Sequence, residues 1–166
     1  MHFFSHFLTS SRASRIAGGA SKLTPMSVPS ALAISAADPG GVWRAMDPLA
    51  VDALGVLGSG VVTARTSHGI RQPGSLHDAP MTMLRASLEA AFSTRPPSSV
   101  KVGLLTTVPA VRAVARALAP GSVPVVVDPG FVPRSGVRHL RSTVVDAGVR
   151  DLLPAAALVP LSLIHI

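Results

Sequence analysis

Four short stretches gather the residues of this chain that could hold a ligand. They are Asp38-Pro39-Gly40-Gly41, Thr66-Ser67-His68-Gly69, Leu105-Thr106-Thr107 and Asp128-Pro129-Gly130. Carboxylate, hydroxyl and imidazole groups supply hydrogen-bond donors and acceptors, and glycine lets a backbone come close to a bound molecule. Taken singly, each stretch has a plainer explanation. Asp-Pro starts turns, Gly40 and Gly41 can serve that turn, and His68 can be a hydrogen-bonded loop histidine. Together they point to a site, because each of the four follows an apolar, strand-like run. Other chemistries lack their residues. The chain has no G-x-S-x-G elbow and no G-x-x-x-x-G-K-[ST] loop. Gly55, Gly58 and Gly60 precede a strand-like run rather than follow one, so they make no dinucleotide fingerprint. Asp47 and Asp52, five apart on a helix, point in different directions. His2 and His6 have helix-face spacing but no third ligand nearby, and the chain has no cysteine.

The elements that must position these stretches read as an α/β alternation. Ser30–Ser35, Ser59–Ala64, Val100–Leu105 and Val123–Val127 are short apolar runs, and Ala157–Pro160 can begin a further one. Continuous apolar runs fit strands buried on both faces, which is the parallel-sheet pattern. Between them, Met81, Leu84, Leu88 and Ala91 recur at helical spacing, as do Val108, Val111, Ala115 and Leu118. Thr106 or Thr107 can cap the second of these helices, and Pro109 suits its first turn. Gly55 can end a short helix over Ala50–Leu54. The expected fold is a mainly parallel sheet with helices on both faces and room for one antiparallel connection. In such sheets ligands bind beyond the carboxyl ends of the strands, where the four polar stretches fall.

Composition narrows the function classes. The chain has 166 residues, a net charge of +7 and 14% charged residues, with nearly half its residues hydrophobic. That is one globular domain and not a disordered chain. The arginines are scattered from Arg44 to Arg150, tyrosine is absent and Trp43 is the single tryptophan, so a nucleic-acid partner is not expected. A basic surface also suits a phosphorylated substrate. The most apolar stretch, Leu152–Ile166, is interrupted by Pro154 and Pro160 and falls short of the roughly 18 residues of a membrane span, so no membrane partner is expected.

Residues 1–28 carry Arg12, Arg15 and Lys22 without an acid, which suits an organelle transit peptide or a start site placed too early, with Met26 as the alternative start. Residues 29–160 form the expected domain. Residues 161–166 are expected to be a non-native or read-through tail. The expected compartment is the cytoplasm, or an organelle if residues 1–28 are a transit peptide.

In order, ALAISAADPGG (31–41), MDPLAVDALGVLGSGVVTA (46–64), VKVGLL (100–105), VVVDPGFVPRSG (125–136) and LLPAAALVP (152–160) resemble the hydroxymethylpyrimidine/phosphomethylpyrimidine kinases of thiamine biosynthesis. The resemblance is collinear over residues 30–160 and implies the N-terminal part of a ribokinase-like fold. It implies an ATP- and magnesium-dependent phosphotransferase acting on a small pyrimidine alcohol and its phosphate ester. It places Asp47 against the pyrimidine amine and ring nitrogen, His68 where a glutamine usually pairs with the ring, Leu105 where a methionine usually packs on it, and Gly130 where a valine usually lines the pocket. Asp128 falls in the magnesium and phosphate neighbourhood. The chain departs from the pattern at Ala36, where glycine is usual, and at Val42-Trp43-Arg44, which replace small residues.

The resemblance also implies a later glycine-rich anion hole and a catalytic aspartate, yet no glycine follows Gly148. The chain is therefore expected to be a kinase fragment that is inactive alone, that does not fully bind ATP and Mg²⁺, and that self-associates or forms a homo-oligomer through an exposed sheet edge. No catalytic residue is expected within it. The alternative is a non-catalytic α/β module that binds a small molecule or a partner protein.

Overall fold

Strand β1, Ser30–Ala37, is an apolar run interrupted by Ser30 and Ser35; its Leu32 and Ile34 are buried on one face and Ala31 on the other. The structure is a computed structural model and describes residues 28–37, 50–66, 76–119, 121, 123–129 and 140–160. The remaining strands are β2 (Leu57–Thr66), β3 (Leu76–Asp78), β4 (Ser99–Val102) and β5 (Val125–Val127). They form one sheet in the order β3-β2-β1-β4-β5. β1 pairs in parallel with β2 and β4, and β4 with β5; β3 alone is antiparallel, on β2. The expected mainly parallel sheet with one antiparallel connection is therefore the one observed. Beyond β5, Leu158 bridges Val126 in parallel, so the run expected at Ala157–Pro160 does take the next place in the sheet.

Helix α1 is Met81–Thr94 and helix α2 is Val108–Leu118. Helix α3, Ser142–Ala147, runs on through a wide turn at Gly148–Leu152 into a tight turn at Leu153–Ala155. Leu84 and Leu88 of α1, Val111, Val114 and Leu118 of α2, and Val144 of α3 meet Leu32, Ile34, Val61, Val100, Val102 and Val127 in one core. Each such aliphatic side chain contributes roughly 1.5–3 kcal/mol when fully buried. The opposite face holds a smaller cluster in which Val51 and Val56 pack on Ala31. Val51 belongs to a helical turn at 50–53, which Gly55 ends with a φ of +66°. Only glycine enters that conformation freely, and its N–H donates to Asp52 O at 2.8 Å. Helices thus lie on both faces.

Of the two candidate caps, Thr107 serves α2: its hydroxyl accepts from the Ala110 N–H at 3.3 Å. β4 and β5 are shorter than the sequence runs suggested. β5 starts only at Val125, after Pro124, which has no N–H to give to a ladder. β4 ends at Val102 because the chain then turns across the sheet edge.

Candidate functional site

β1, β2, β4 and β5 run in one direction, so their carboxyl ends, at Ala37, Thr66, Val102 and Val127, share one edge of the sheet. This is where an open α/β sheet collects a ligand. The segment after β4 builds the described part of this rim. Gly103 N–H donates to Ile34 O at 2.8 Å, and Leu104 O accepts from Ala36 N–H at 3.2 Å. The same Leu104 oxygen accepts from the Thr63 hydroxyl at 3.1 Å. Farther along, the Thr106 hydroxyl donates to Asp78 Oδ1 on β3. Residues 103–106 therefore cross the end of β1 and reach β2 and β3, tying four strands together at the rim.

Two packing constraints hold this crossing segment down. Thr63 is 1% exposed, so its hydroxyl needs the internal partner that Leu104 provides. Gly103 lies so close to Ser35 that a Cβ there would meet Ser35 Oγ and come within 2.9 Å of Ser35 Cβ. A side chain at 103 would have to push β1 and the crossing segment apart.

Of the five residues singled out from the sequence, two lie in the described structure. Asp128 follows β5 directly, is partly buried, and is anchored by its N–H to Val102 O at 2.8 Å. Leu105 is 4% exposed and belongs to the main core. With Val111, Val127, Val144 and Leu152 it lines a small apolar cleft just under the rim. Its neighbour Leu104 keeps more of its surface accessible. Asp47, His68 and Gly130 lie outside the described residues. The strand ends that lead to them, at Ala37, Thr66 and Asp128, stand on the same edge. Sequence reading passed over Thr63 and Asp78. Thr63 sits inside an apolar strand run and Asp78 in a polar three-residue strand, and neither bears a motif; only the path of the crossing segment gives them partners.

Away from the rim, Asp151 joins the C-terminal turn to α2. It accepts from Arg150 Nε at 2.8 Å and pairs with Arg112 Nε at 3.4 Å. The hydrogen bond from Arg150, and behind it the charges of Arg150 and Arg112, hold the Asp151 carboxyl below the ordinary carboxylate range. The same bond raises the Arg150 guanidinium.

Among the described residues, no three His, Cys, Asp or Glu side chains come together to hold a metal ion. Asp128 directly follows the carboxyl end of β5, and Asp78, held by Thr106, lies on the β3 side of the rim. One or two carboxylates suffice where phosphate oxygens and water complete a magnesium shell, so Asp128 is chemically suited to help hold a phosphate-borne Mg²⁺. No helix among the described residues is long and apolar enough to cross a membrane.

Comparison with known proteins converges on one group. The family model for phosphomethylpyrimidine kinase matches residues 41–160. A hydroxymethylpyrimidine/phosphomethylpyrimidine kinase of Rhizobium meliloti is 34% identical over 130 residues, covering 78% of this chain and 49% of the relative. One from Streptomyces coelicolor is 31% identical over 133 residues, covering 80% and 49%. The chain thus spans about half the length of the curated relatives it matches. The crystal structure of a phosphomethylpyrimidine kinase from Clostridium difficile superposes with a TM-score of 0.73 at 25% identity, over 79% of this chain and 58% of that one. A Staphylococcus aureus pyridoxal kinase solved with AMP-PCP and pyridoxal shares the fold, with a TM-score of 0.68 at 24% identity over 80% and 47% of the two chains.

Proposed function

The chain belongs to the phosphomethylpyrimidine kinase family, and from that premise we propose that residues 30–160 form the substrate-side half of an ATP-dependent kinase for hydroxymethylpyrimidine and its monophosphate. The observation that carries the reading is the common edge. Four parallel strands end together, and the crossing segment closes one side of the space beyond them.

An aminopyrimidine presents a donor beside ring acceptors. In this reading Asp47 accepts from the amine, His68 offers one donor and one acceptor to the ring edge, and Gly130 leaves room at the wall. Leu105, set in the core under the rim, backs the apolar face of the ring from below. Asp128 faces the phosphate side, where a bound Mg²⁺ would supply charge neutralisation for phosphoryl transfer. A polar group left unpaired in such a pocket costs roughly 1–3 kcal/mol, which is the source of selectivity for the pyrimidine edge.

These 166 residues by themselves are proposed to bind the pyrimidine weakly and not to turn it over. No glycine-rich loop follows Gly148 to hold the charge that develops on the phosphoryl group. Titration calorimetry with hydroxymethylpyrimidine, beside a coupled assay of ATP consumption, tests both parts. We expect binding that falls at least tenfold in Asp47→Asn, with no ATP consumption. Binding indifferent to Asp47→Asn rejects the pocket, and sustained turnover by the 166 residues rejects inactivity in isolation.

A further inference from the structure

The crossing segment is anchored at both ends and has a gap in the middle. Upstream, Leu104 O accepts from Ala36 N–H and from the Thr63 hydroxyl. Downstream, Thr107 is committed to α2: its hydroxyl accepts from Ala110 N–H and its carbonyl from Val111 N–H at 3.0 Å. Between these anchors, Leu105 and Thr106 make no main-chain hydrogen bond to a described residue. Leu105 is held by its side chain in the core. Thr106 is held by its hydroxyl, which donates to Asp78 Oδ1.

Asp78 is a firm post for this bond. It is paired in the sheet with Ala64, which is fully buried, and the next residue, Ala79, donates its N–H to Thr63 O at 2.9 Å. Packing does not account for a carboxylate here, because all three β3 residues are exposed and none belongs to a core cluster. A hydroxyl donating to a carboxylate makes one of the stronger neutral-to-charged hydrogen bonds. Asp78 is exposed, so losing it leaves no buried group unpaired and the fold is expected to persist.

We propose that Asp78 is a positioning residue for the pyrimidine pocket: through Thr106 it sets how residues 104–106 lie across the strand ends. The inference rests on the reading of that edge as the substrate site. A ligand packed on this segment gains most when the segment already lies at one height. Without the Asp78 bond, the stretch between Leu104 and Thr107 keeps only the Leu105 side chain as an anchor, and binding has to order it.

Titration calorimetry of the 166-residue chain with hydroxymethylpyrimidine tests the role. Asp78→Ala and Thr106→Val are each expected to weaken binding about three- to tenfold, the range one hydrogen bond spans, with the circular dichroism spectrum unchanged. The double variant is expected to bind no more weakly than the weaker single one, because both changes remove the same bond. Asp78→Asn keeps an acceptor oxygen and is expected to bind within about twofold of the unaltered chain. Glu89→Ala, which removes an equal charge from the exposed side of α1, is expected to change nothing. The bond can be removed from either side, so if one single variant fails to fold the other decides. Binding by the unaltered chain that persists undiminished in Asp78→Ala and Thr106→Val overturns this role and leaves the substrate site standing. Losses that multiply in the double variant, a loss that Asp78→Asn does not restore, or an equal loss in Glu89→Ala also overturn it. No binding by the unaltered chain rejects the substrate site itself, and the role of Asp78 with it.

Discussion

At the scale of single residues, the hydroxyl of Thr63 and the missing side chain of Gly103 do the same work, holding the crossing segment against the sheet. Thr63→Val keeps the shape and loses one hydrogen bond, while Leu104 O retains the Ala36 N–H. The expected loss is about 0.5–1.5 kcal/mol in chemical denaturation. Gly103→Ala is expected to cost more, about 1–3 kcal/mol, because it collides with a Cβ fixed to the β1 backbone rather than with the end of a flexible side chain. Ser35→Gly in the same chain should restore part of that loss, and the four-membered denaturation cycle measures the coupling. Asp151 gives a prediction in pH. Its carboxyl is held low in the folded protein, so the unfolded chain binds the proton more readily. The stability it lends is present above the unfolded carboxylate pKa, near 4, and is lost as pH falls through the folded value. Asp151 retains 24% of its side-chain exposure, so the effect is small and weakens with salt. Asp151→Asn should flatten the acid limb of a melting-temperature profile and leave the neutral-pH shape unchanged.

At the scale of elements, the sequence was most readable where one periodicity ran uninterrupted. Leu84 and Leu88 fall on the buried stripe of α1, and Val111 and Leu118 on that of α2, because three- and four-residue spacing leaves one choice of face; the reading through Ala115 passed over Val114, which is fully buried. Thr107 illustrates the limit of such reading. Two adjacent threonines were equally good caps by type, and only the path of the crossing segment sends Thr106 to Asp78 and leaves Thr107 for the helix. Thr107→Ala should lower stability by about 1 kcal/mol, read by thermal melting, and Thr107→Asp should recover it. α3 and its continuation escaped notice for physical reasons. Arg141 makes no cap, Gly148 sits where helical periodicity should persist, and Pro154 opens the tight turn that follows. β3 was missed because three exposed residues, Leu76 to Asp78, carry no alternation to detect. Among the candidate site residues, the place of Asp128 just past a strand end was legible because it follows an unbroken valine run. Leu105 was legible as a rim residue but not as a buried one, since adjacent leucines do not announce which turns inward.

At the scale of the molecule, the two edges of the sheet differ. Beyond β5, Val127 N–H reaches Leu158 O at 2.9 Å and Ala157 N–H reaches Val125 O at 2.8 Å, so that side already has a neighbouring segment. On the other side, among the described residues, β3 covers β2 from Ala64 to Thr66. Hydrogen exchange should therefore separate them: the Val127 amide, bonded to Leu158 O, should exchange more slowly than the Gly60 and Val62 amides. Equal exchange at the three sites would count against that difference.

The doubly used oxygen of Leu104 also bears on how the chain matures. Its two donors, Ala36 and Thr63, emerge from a ribosome long before it does. Until residue 104 has cleared the exit tunnel, the hydroxyl of Thr63 and the N–H of Ala36 lack this internal acceptor, and the first two strands are without their crossing segment. Nascent chains arrested short of that point should be protease-sensitive at Ala36 and Thr63, and those arrested well beyond it should be resistant at both together.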